Sequence, residues 1–423
     1  MPEHSSGSGL VGRDAAVFLS QRGSSPVRRA VVGCDGPYLI DADGGRILDF
    51  HGNGSHHLGY GHPAVLAALR RQLDVQPFSP RRFTNEAAVA LAERLVALWP
   101  YGPARVLLAP SGTDAIEIAL KLAYVATGRR GTLAFEGAWH GAGLGALSVG
   151  GRERERAGMP LLEGCRHLPA FWADPTAGRP CPEAAARVAL EALERALAVE
   201  APAALVAEPV HSRPGVAADW FWTEVEARCR RAGTLLVFDE IPTGLGKTGH
   251  LFASQRHAVT PDVTVLGKAL GGAVLPLAAV IARADLDRAG ELAIGHITHE
   301  KNPVLAAVGL AVLEVIVGGG LVERSRRNGE ILAARLSDLR DQGLLSGFEV
   351  AGSLAALRVG TGIDPLATEA EAYRRGLNLT ADASGRVTLS MPLILDQPQL
   401  DAAALALAEA LRAAPAVTGS SST

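Results

Sequence analysis

The sequence predicts an α/β domain with a mainly parallel sheet, joined to a smaller α+β unit built from both chain ends. Three observations predict it. Short, continuous apolar runs recur through the middle of the chain, at Arg105–Ala109, Thr132–Phe135, Ala204–Ala207, Thr234–Phe238, Val263–Leu266 and Leu275–Ile281. Strands that are apolar on both faces need cover on both faces, as parallel sheets have. Helical spacing fills the gaps between them at Thr113–Thr127, Pro182–Val199 and Thr223–Ala232. The alternation then stops. Pro303–Val317, Val322–Gln342 and Gln399–Ala413 read as helices, and Phe348–Val359 and Val387–Ser390 as short strands.

Near the start, YLIDADGGRILDF at Tyr38–Phe50 reads as a hairpin around an Asp-Ala-Asp-Gly-Gly turn. The expected division is an N-terminal segment, 10–65, packing with the small unit. A large domain follows over 66–305 and a C-terminal small domain over 306–413. The Ser/Gly-rich ends, 1–9 and 414–423, are expected to be disordered.

Composition narrows the function. Apolar residues are 48% and charged residues 20%, which excludes whole-chain disorder. A net charge of -3 argues against a dedicated nucleic-acid binder. The longest near-apolar stretches, Ala273–Ala282 and Val304–Leu313, fall short of the ~20 residues of a membrane span. Met1–Gly9 has no apolar signal core, so a cytoplasmic location is expected. Cys34, Cys165, Cys181 and Cys229 form no C-x-x-C pair, so neither a disulfide scaffold nor a metal site is expected. Lysine is scarce. Only Lys121, Lys247, Lys268 and Lys301 occur among 41 basic residues. Arg stays charged, whereas a desolvated Lys can become a neutral amine nucleophile.

Several strand ends carry candidates for chemistry. Ser111-Gly112-Thr113 follows one strand and opens a helix, which suits either an anion site or an ordinary N-cap. Trp139-His140-Gly141 follows another; the Trp could stack on a planar ring or fill the core. Asp239 ends a buried run, where a carboxylate needs a partner. A protonated ring nitrogen and a structural ion pair both satisfy that need. Lys268 follows a strand and precedes Ala269-Leu270-Gly271-Gly272, a placement open to imine chemistry or to plain solvation. Lys247 reads as a loop residue and Lys121 as a solvated helix residue.

Taken in order, the strand–SGT–helix unit, the aromatic-His-Gly, Glu208-Pro209, Asp239-Glu240 and Lys268 resemble the class III aminotransferase family of pyridoxal-phosphate enzymes. The longest matching pieces are VFDEIPTGLGKTGHLFA at Val237–Ala253 and TPDVTVLGKALGGAVLPLAAVI at Thr260–Ile281. The resemblance implies the aspartate-aminotransferase-like fold, type I among pyridoxal-phosphate enzymes, with pyridoxal 5'-phosphate as cofactor. It implies that Lys268 carries the cofactor and that Asp239 pairs with its ring nitrogen. Ser111, Gly112 and Thr113 would form the phosphate cup, Trp139 would stack on the ring, and His140 and Glu208 would line the site. Thr298 matches a threonine that reaches the neighbouring subunit's phosphate, which implies a homodimer with shared active sites.

Two departures from the family pattern bear on the reaction. Pro242 stands where a Gln commonly contacts the ring oxygen. Thr388 stands where many members carry an Arg that clamps a substrate carboxylate, with Arg386 two residues earlier. An aminotransferase needs a keto acid partner and a lyase does not. DFHGNGSHHLGYGHP (Asp49–Pro63), PFSPRRFTN (Pro77–Asn85) and THEKNP (Thr298–Pro303) resemble the branch containing 1-hydroxy-2-aminoethylphosphonate ammonia-lyase. The expectation is therefore elimination on a small hydroxyaminophosphonate, giving an aldehyde and ammonia. Amino transfer from an ω-amine or amino acid is the alternative. Arg81 and Arg82 would suit a phosphonate dianion, with His56 assisting. A solvated helix start and loop packing explain the same residues.

Overall fold

The computed structural model describes residues 7–21, 29–173, 181–213, 215–382 and 384–415. A seven-stranded sheet forms its centre. The spatial order is Ala104–Ala109, Ala278–Arg283, Val263–Leu266, Leu235–Asp239, Ala204–Ala207, Thr132–Phe135 and Cys165–Leu168. From Val263–Leu266 onward all neighbours are parallel. Ala278–Arg283 alone runs antiparallel to both of its neighbours. The three middle strands are buried at every position. That burial follows from their unbroken apolar sequence.

Three details differ from the sequence reading. The strand expected at Leu275–Ile281 begins three residues later. Pro276 cannot donate to a ladder, and Val274 and Leu275 N–H groups turn back to the Gly271 carbonyl, both at 3.0 Å. Cys165–Leu168 is an edge strand that the sequence concealed, because Arg166 and His167 interrupt its apolar pattern. Phe348–Val359 is two strands, Leu345–Ala351 and Leu354–Val359, folded at Gly352 with φ +55°. A Cβ at Gly352 would lie 2.4 Å from the Gly249 backbone nitrogen, so this turn is pressed onto the Lys247 loop.

The chain ends meet. Tyr38–Asp41 and Arg46–Asp49 form the expected hairpin, and Asp41 Oδ1 accepts the Gly45 N–H at 2.7 Å. Leu377–Asn378 pairs parallel with Arg46–Asp49, so Leu48 faces Leu377. Leu48 and Phe50 share a core with Leu336, Leu357, Leu389 and Leu407. Gly7–Gly9, expected in a disordered tail, instead begin the helix Gly7–Val17, which the apolar and small residues after them sustain. Residues 1–6 and 416–423 of the expected tails lie outside the described residues. Among the described residues no single helix is long and apolar enough to cross a membrane.

An aromatic cluster supports the sheet beside the site. Trp222 is fully buried and meets Phe238 and Phe171 edge-on, each with a centroid separation of 4.9 Å. Its Nε1 donates to the Pro209 carbonyl at 2.9 Å. It therefore ties the strand ending in Asp239 to the Glu208-Pro209 turn. Trp222→Ala is expected to cost about 3–5 kcal/mol in urea denaturation, the usual range for emptying a large aromatic site. A loss under about 1 kcal/mol would show that the cluster does not brace these strands.

Candidate active site

Five strand-to-loop transitions converge at the carboxyl end of the sheet, where open α/β folds bind ligands. Ser111–Thr113 leave the strand Ala104–Ala109. Trp139 and His140 follow Thr132–Phe135, and Glu208 follows Ala204–Ala207. Asp239 ends its own strand, and Lys268 stands two residues beyond Leu266.

Asp239 and His140 form the buried centre. Asp239 Oδ2 and His140 Nδ1 lie 2.8 Å apart, with side chains 2% and 0% exposed. Asp239 Oδ1 accepts the Ile241 N–H at 3.0 Å. Burial pushes the Asp239 carboxyl upward, and the His140 hydrogen bond opposes that push. An ionised Asp239 accepts, so His140 Nδ1 carries the hydrogen. His140 Nε2 is buried with no hydrogen-bond partner among the described residues. The pair is thus an acceptor of charge held in a low-dielectric site, and a cationic partner would stabilise it strongly.

Lys268 begins a short turn over Lys268–Gly271 with φ +43°. A left-handed non-glycine residue costs about 1–3 kcal/mol and persists only where surrounding structure imposes it. Leu270 N–H bonds back to Gly267 at 3.0 Å, and Ala269 and Leu270 are buried. By surface area Lys268 is an exposed residue, although protein surrounds its amine. The enclosure lowers its pKa, against the opposing pull of Glu208 and Asp239. That favours a neutral amine at the carboxyl end of the sheet.

The anion cup is compact. Ser111 caps the helix Gly112–Thr127, accepting the Asp114 N–H at 3.1 Å. Ile241, which the sequence reading did not single out, stands between the cup and the lysine. A Cβ at Gly112 would lie 2.8 Å from Ile241 Cδ1, and one at Gly267 3.1 Å from Ile241 Cγ2. Gly141 has φ +138°, and its Cβ would meet Thr113 Oγ1 at 2.6 Å. Glu208 is buried, with Oε2 accepting the Ser212 N–H at 2.6 Å and Oε1 the Trp139 N–H at 3.4 Å. Burial raises the Glu208 carboxyl, yet His211, His140 and the Ser212 bond together hold it below its ordinary value.

Other residues singled out by sequence lie elsewhere. Arg81 and Arg82 are exposed, and Arg81 lines a cavity with Arg105 and His296. Thr298 is exposed on the same side of the chain, two residues beyond His296. Among the described residues no hydrogen bond or ion pair links any of the three to Lys268 of its own chain. His56 is fully buried under the turn Gly52–Gly54, and Nε2 bonds to the Asp49 carbonyl at 2.9 Å. Burial pushes its pKa down to about 4, so it is a neutral packing residue here. Lys247 was read as a loop residue and does sit in a turn, but it is wholly buried. Its Nζ donates to the Met391 carbonyl at 2.7 Å, and burial pushes the amine down to about 7. Among the described residues no group of three His, Cys, Asp or Glu is placed to hold a metal.

Comparison with known proteins gives the same reading of the fold. A family model described as aminotransferase class-III matches residues 19–411. The chain is 32% identical to the (R)-1-hydroxy-2-aminoethylphosphonate ammonia-lyase of Vibrio splendidus strain 12B01, covering 93% of this chain and 88% of that one. It is 33% identical to the acetylornithine aminotransferase of Mycolicibacterium smegmatis, covering 94% and 97%. A PLP-bound amine transaminase from an uncultivated Pseudomonas species matches with a TM-score of 0.86 at 28% identity, over 94% of this chain and 98% of that one. Such a fold with such relatives defines a pyridoxal-phosphate enzyme of fold type I. The chain belongs to the class III aminotransferase family.

The residues present fit that cofactor. A helix start with free N–H groups suits its phosphate, and a buried carboxylate suits its protonated ring nitrogen. The lysine of lowered pKa suits its aldehyde. Asp239→Ala is expected to keep bound, coloured cofactor while turnover falls roughly 100-fold or more, the scale of losing a preorganised charge. Turnover within threefold of the parent would remove Asp239 from the chemistry.

Proposed function

We propose that this enzyme is an ammonia-lyase. Its substrate is a small primary amine with a hydroxyl on the adjacent carbon and an anionic group, of which 1-hydroxy-2-aminoethylphosphonate is the model. One observation carries the reading: hydroxyl groups stand at the end of the strand face nearest Lys268, with Arg386 two positions beyond Thr388. Ser390 Oγ and Lys268 Cδ lie 3.9 and 3.6 Å from the point that a Cβ on Gly54 would occupy. Ser390 and Thr388 alternate onto one face of the strand Arg386–Ser390, whose burial pattern alternates accordingly. Without a carboxylate clamp at Thr388, a keto acid has less to hold it. Similarity to the Vibrio splendidus ammonia-lyase supports the same reading. The near-equal identity to an acetylornithine aminotransferase favours amino transfer as the second reading.

In this account Ser111, Gly112 and Thr113 hold the cofactor phosphate through backbone N–H groups and hydroxyls. Asp239, oriented by His140, pairs with the ring nitrogen, and Trp139 and Ile241 flank the ring. Lys268 carries the cofactor at rest. Two copies complete each other's sites, with Thr298 serving the partner's cofactor. Bound pyridoxal phosphate supplies an aldehyde that links to amines and a ring that draws electrons from the attached carbon. With the substrate amine in its place, Lys268 would be a neutral base. Lys268 takes the proton from the amine-bearing carbon onto Nζ. The C–O bond on the next carbon breaks, and Lys268 returns its proton to the departing hydroxyl, which leaves as water. Lys268 would take its place again as the unsaturated amine leaves, and that amine adds water and falls apart into an aldehyde and ammonia. In the aminotransferase reading, Lys268 Nζ would move the same proton without any C–O bond breaking.

Ammonia decides between them. Protein loaded with pyridoxal phosphate, given the hydroxyaminophosphonate and no keto acid, is expected to release many equivalents of free ammonia per site. Lys268→Ala is expected to release none. One equivalent at most, with turnover restored by a keto acid, would make the enzyme an aminotransferase.

A further inference from the structure

A cavity of about 440 Å³ opens between the large sheet and the C-terminal strands. Three half-buried arginines line it: Arg152, Arg358 and Arg386. Arg386 continues the face that carries Ser390 and Thr388, so a line of side chains runs from the lysine outward to the cavity. Arg358 is the residue directly opposite Arg386 on the neighbouring antiparallel strand. Like charges in that position repel. Glu349, on the next strand, feels both guanidinium groups, yet burial still pushes its carboxyl upward.

Arg152 approaches from the opposite wall. Its guanidinium stands 5.4 Å from the Trp139 ring centroid, and its Nε donates to the Gly137 carbonyl at 3.3 Å. Its charge bears on Lys268 and on Glu208, which places it in the surroundings of the lysine. Trp172, stacked on His211 at 3.9 Å, gives the cavity a flat apolar side. The carboxylates of the cavity sit mainly at its mouth. Glu136 and Glu153 are exposed; Asp382, which pairs with the exposed Arg213 at 3.5 Å, and Glu155 are half-buried.

We propose that Arg152, Arg358 and Arg386 form the subsite for the substrate's phosphonate dianion. The inference rests on the proposed amine chemistry at Lys268, and it assigns the anion to this cavity rather than to Arg81 and Arg82. Guanidinium forks match the oxygens of a phosphonate, and a dianion offsets the Arg358–Arg386 repulsion better than a monoanion does. The phosphonate end lies in the cavity, the hydroxyl lies along the Thr388–Ser390 face, and the amine reaches Lys268.

The test is a binding titration of the cofactor-loaded enzyme, whose phosphate cup is already filled. Methylphosphonate and acetate are added separately and followed by calorimetry, with the visible cofactor band recording folding and loading. Methylphosphonate is expected to bind at least tenfold tighter than acetate. Arg386→Gln and Arg152→Gln are each expected to weaken it about 10- to 100-fold, as losing a charged hydrogen bond does. Arg386→Lys is expected to fall between the parent and Arg386→Gln. Acetate binding as tightly as methylphosphonate, or methylphosphonate affinity unchanged in both Gln variants, would overturn the proposal. Ammonia release plays no part in this titration, so failure of the lyase reading would be seen separately.

Discussion

The buried Asp239–His140 pair is the constraint on which the site depends. A carboxylate at the tip of a fully buried strand carries a large desolvation cost, and the hydrogen bond from His140 offsets only part of it. The fold therefore holds a charge acceptor under tension. The aromatic cluster around Trp222 keeps it there by fixing both Phe238 and the Pro209 carbonyl. Sheet, cluster and acid act as one rigid support. Beside them, Lys268 keeps an unfavourable backbone angle and a lowered pKa. Stability is spent at these two points, to which the proposed function assigns the cofactor's ring nitrogen and its aldehyde.

The fold was legible wherever burial was complete. Ala204–Ala207 and Val263–Leu266 are continuous apolar strands, and Pro182–Val199 has its boundaries marked by Pro and by loss of period. Legibility failed where burial was one-sided or short. Cys165–Leu168 looks polar because an edge strand needs little apolar surface, and the two-residue strand Leu377–Asn378 has no periodicity to read. The hairpin inside Phe348–Val359 was hidden because its turn is one tight Gly-Ser pair.

The site was legible in its strand-end residues and not in its walls. Ser111, Asp239 and Lys268 declare themselves by residue type after an apolar run. Ile241 does not, because a hydrophobic residue after Asp-Glu reads as ordinary core. Arg152, Arg358 and Arg386 come from distant segments that only tertiary structure joins. Lys247 shows the converse problem. Its Gly-Lys-Thr-Gly context reads as solvent-exposed loop, yet the C-terminal strands fold over it and Met391 takes its hydrogen bond.

The chain thus buries Lys247 wholly and leaves Lys268 partly accessible, and both have lowered pKa values. The account gives the cofactor to Lys268 alone, because Lys247 already donates to a carbonyl and is closed off from the cleft. Borohydride reduction of the cofactor-loaded protein fixes the lysine–cofactor linkage, and peptide mass spectrometry then locates it. The account predicts a single pyridoxyl mass addition on the peptide containing Lys268. A label on Lys247, or none on Lys268, would contradict it.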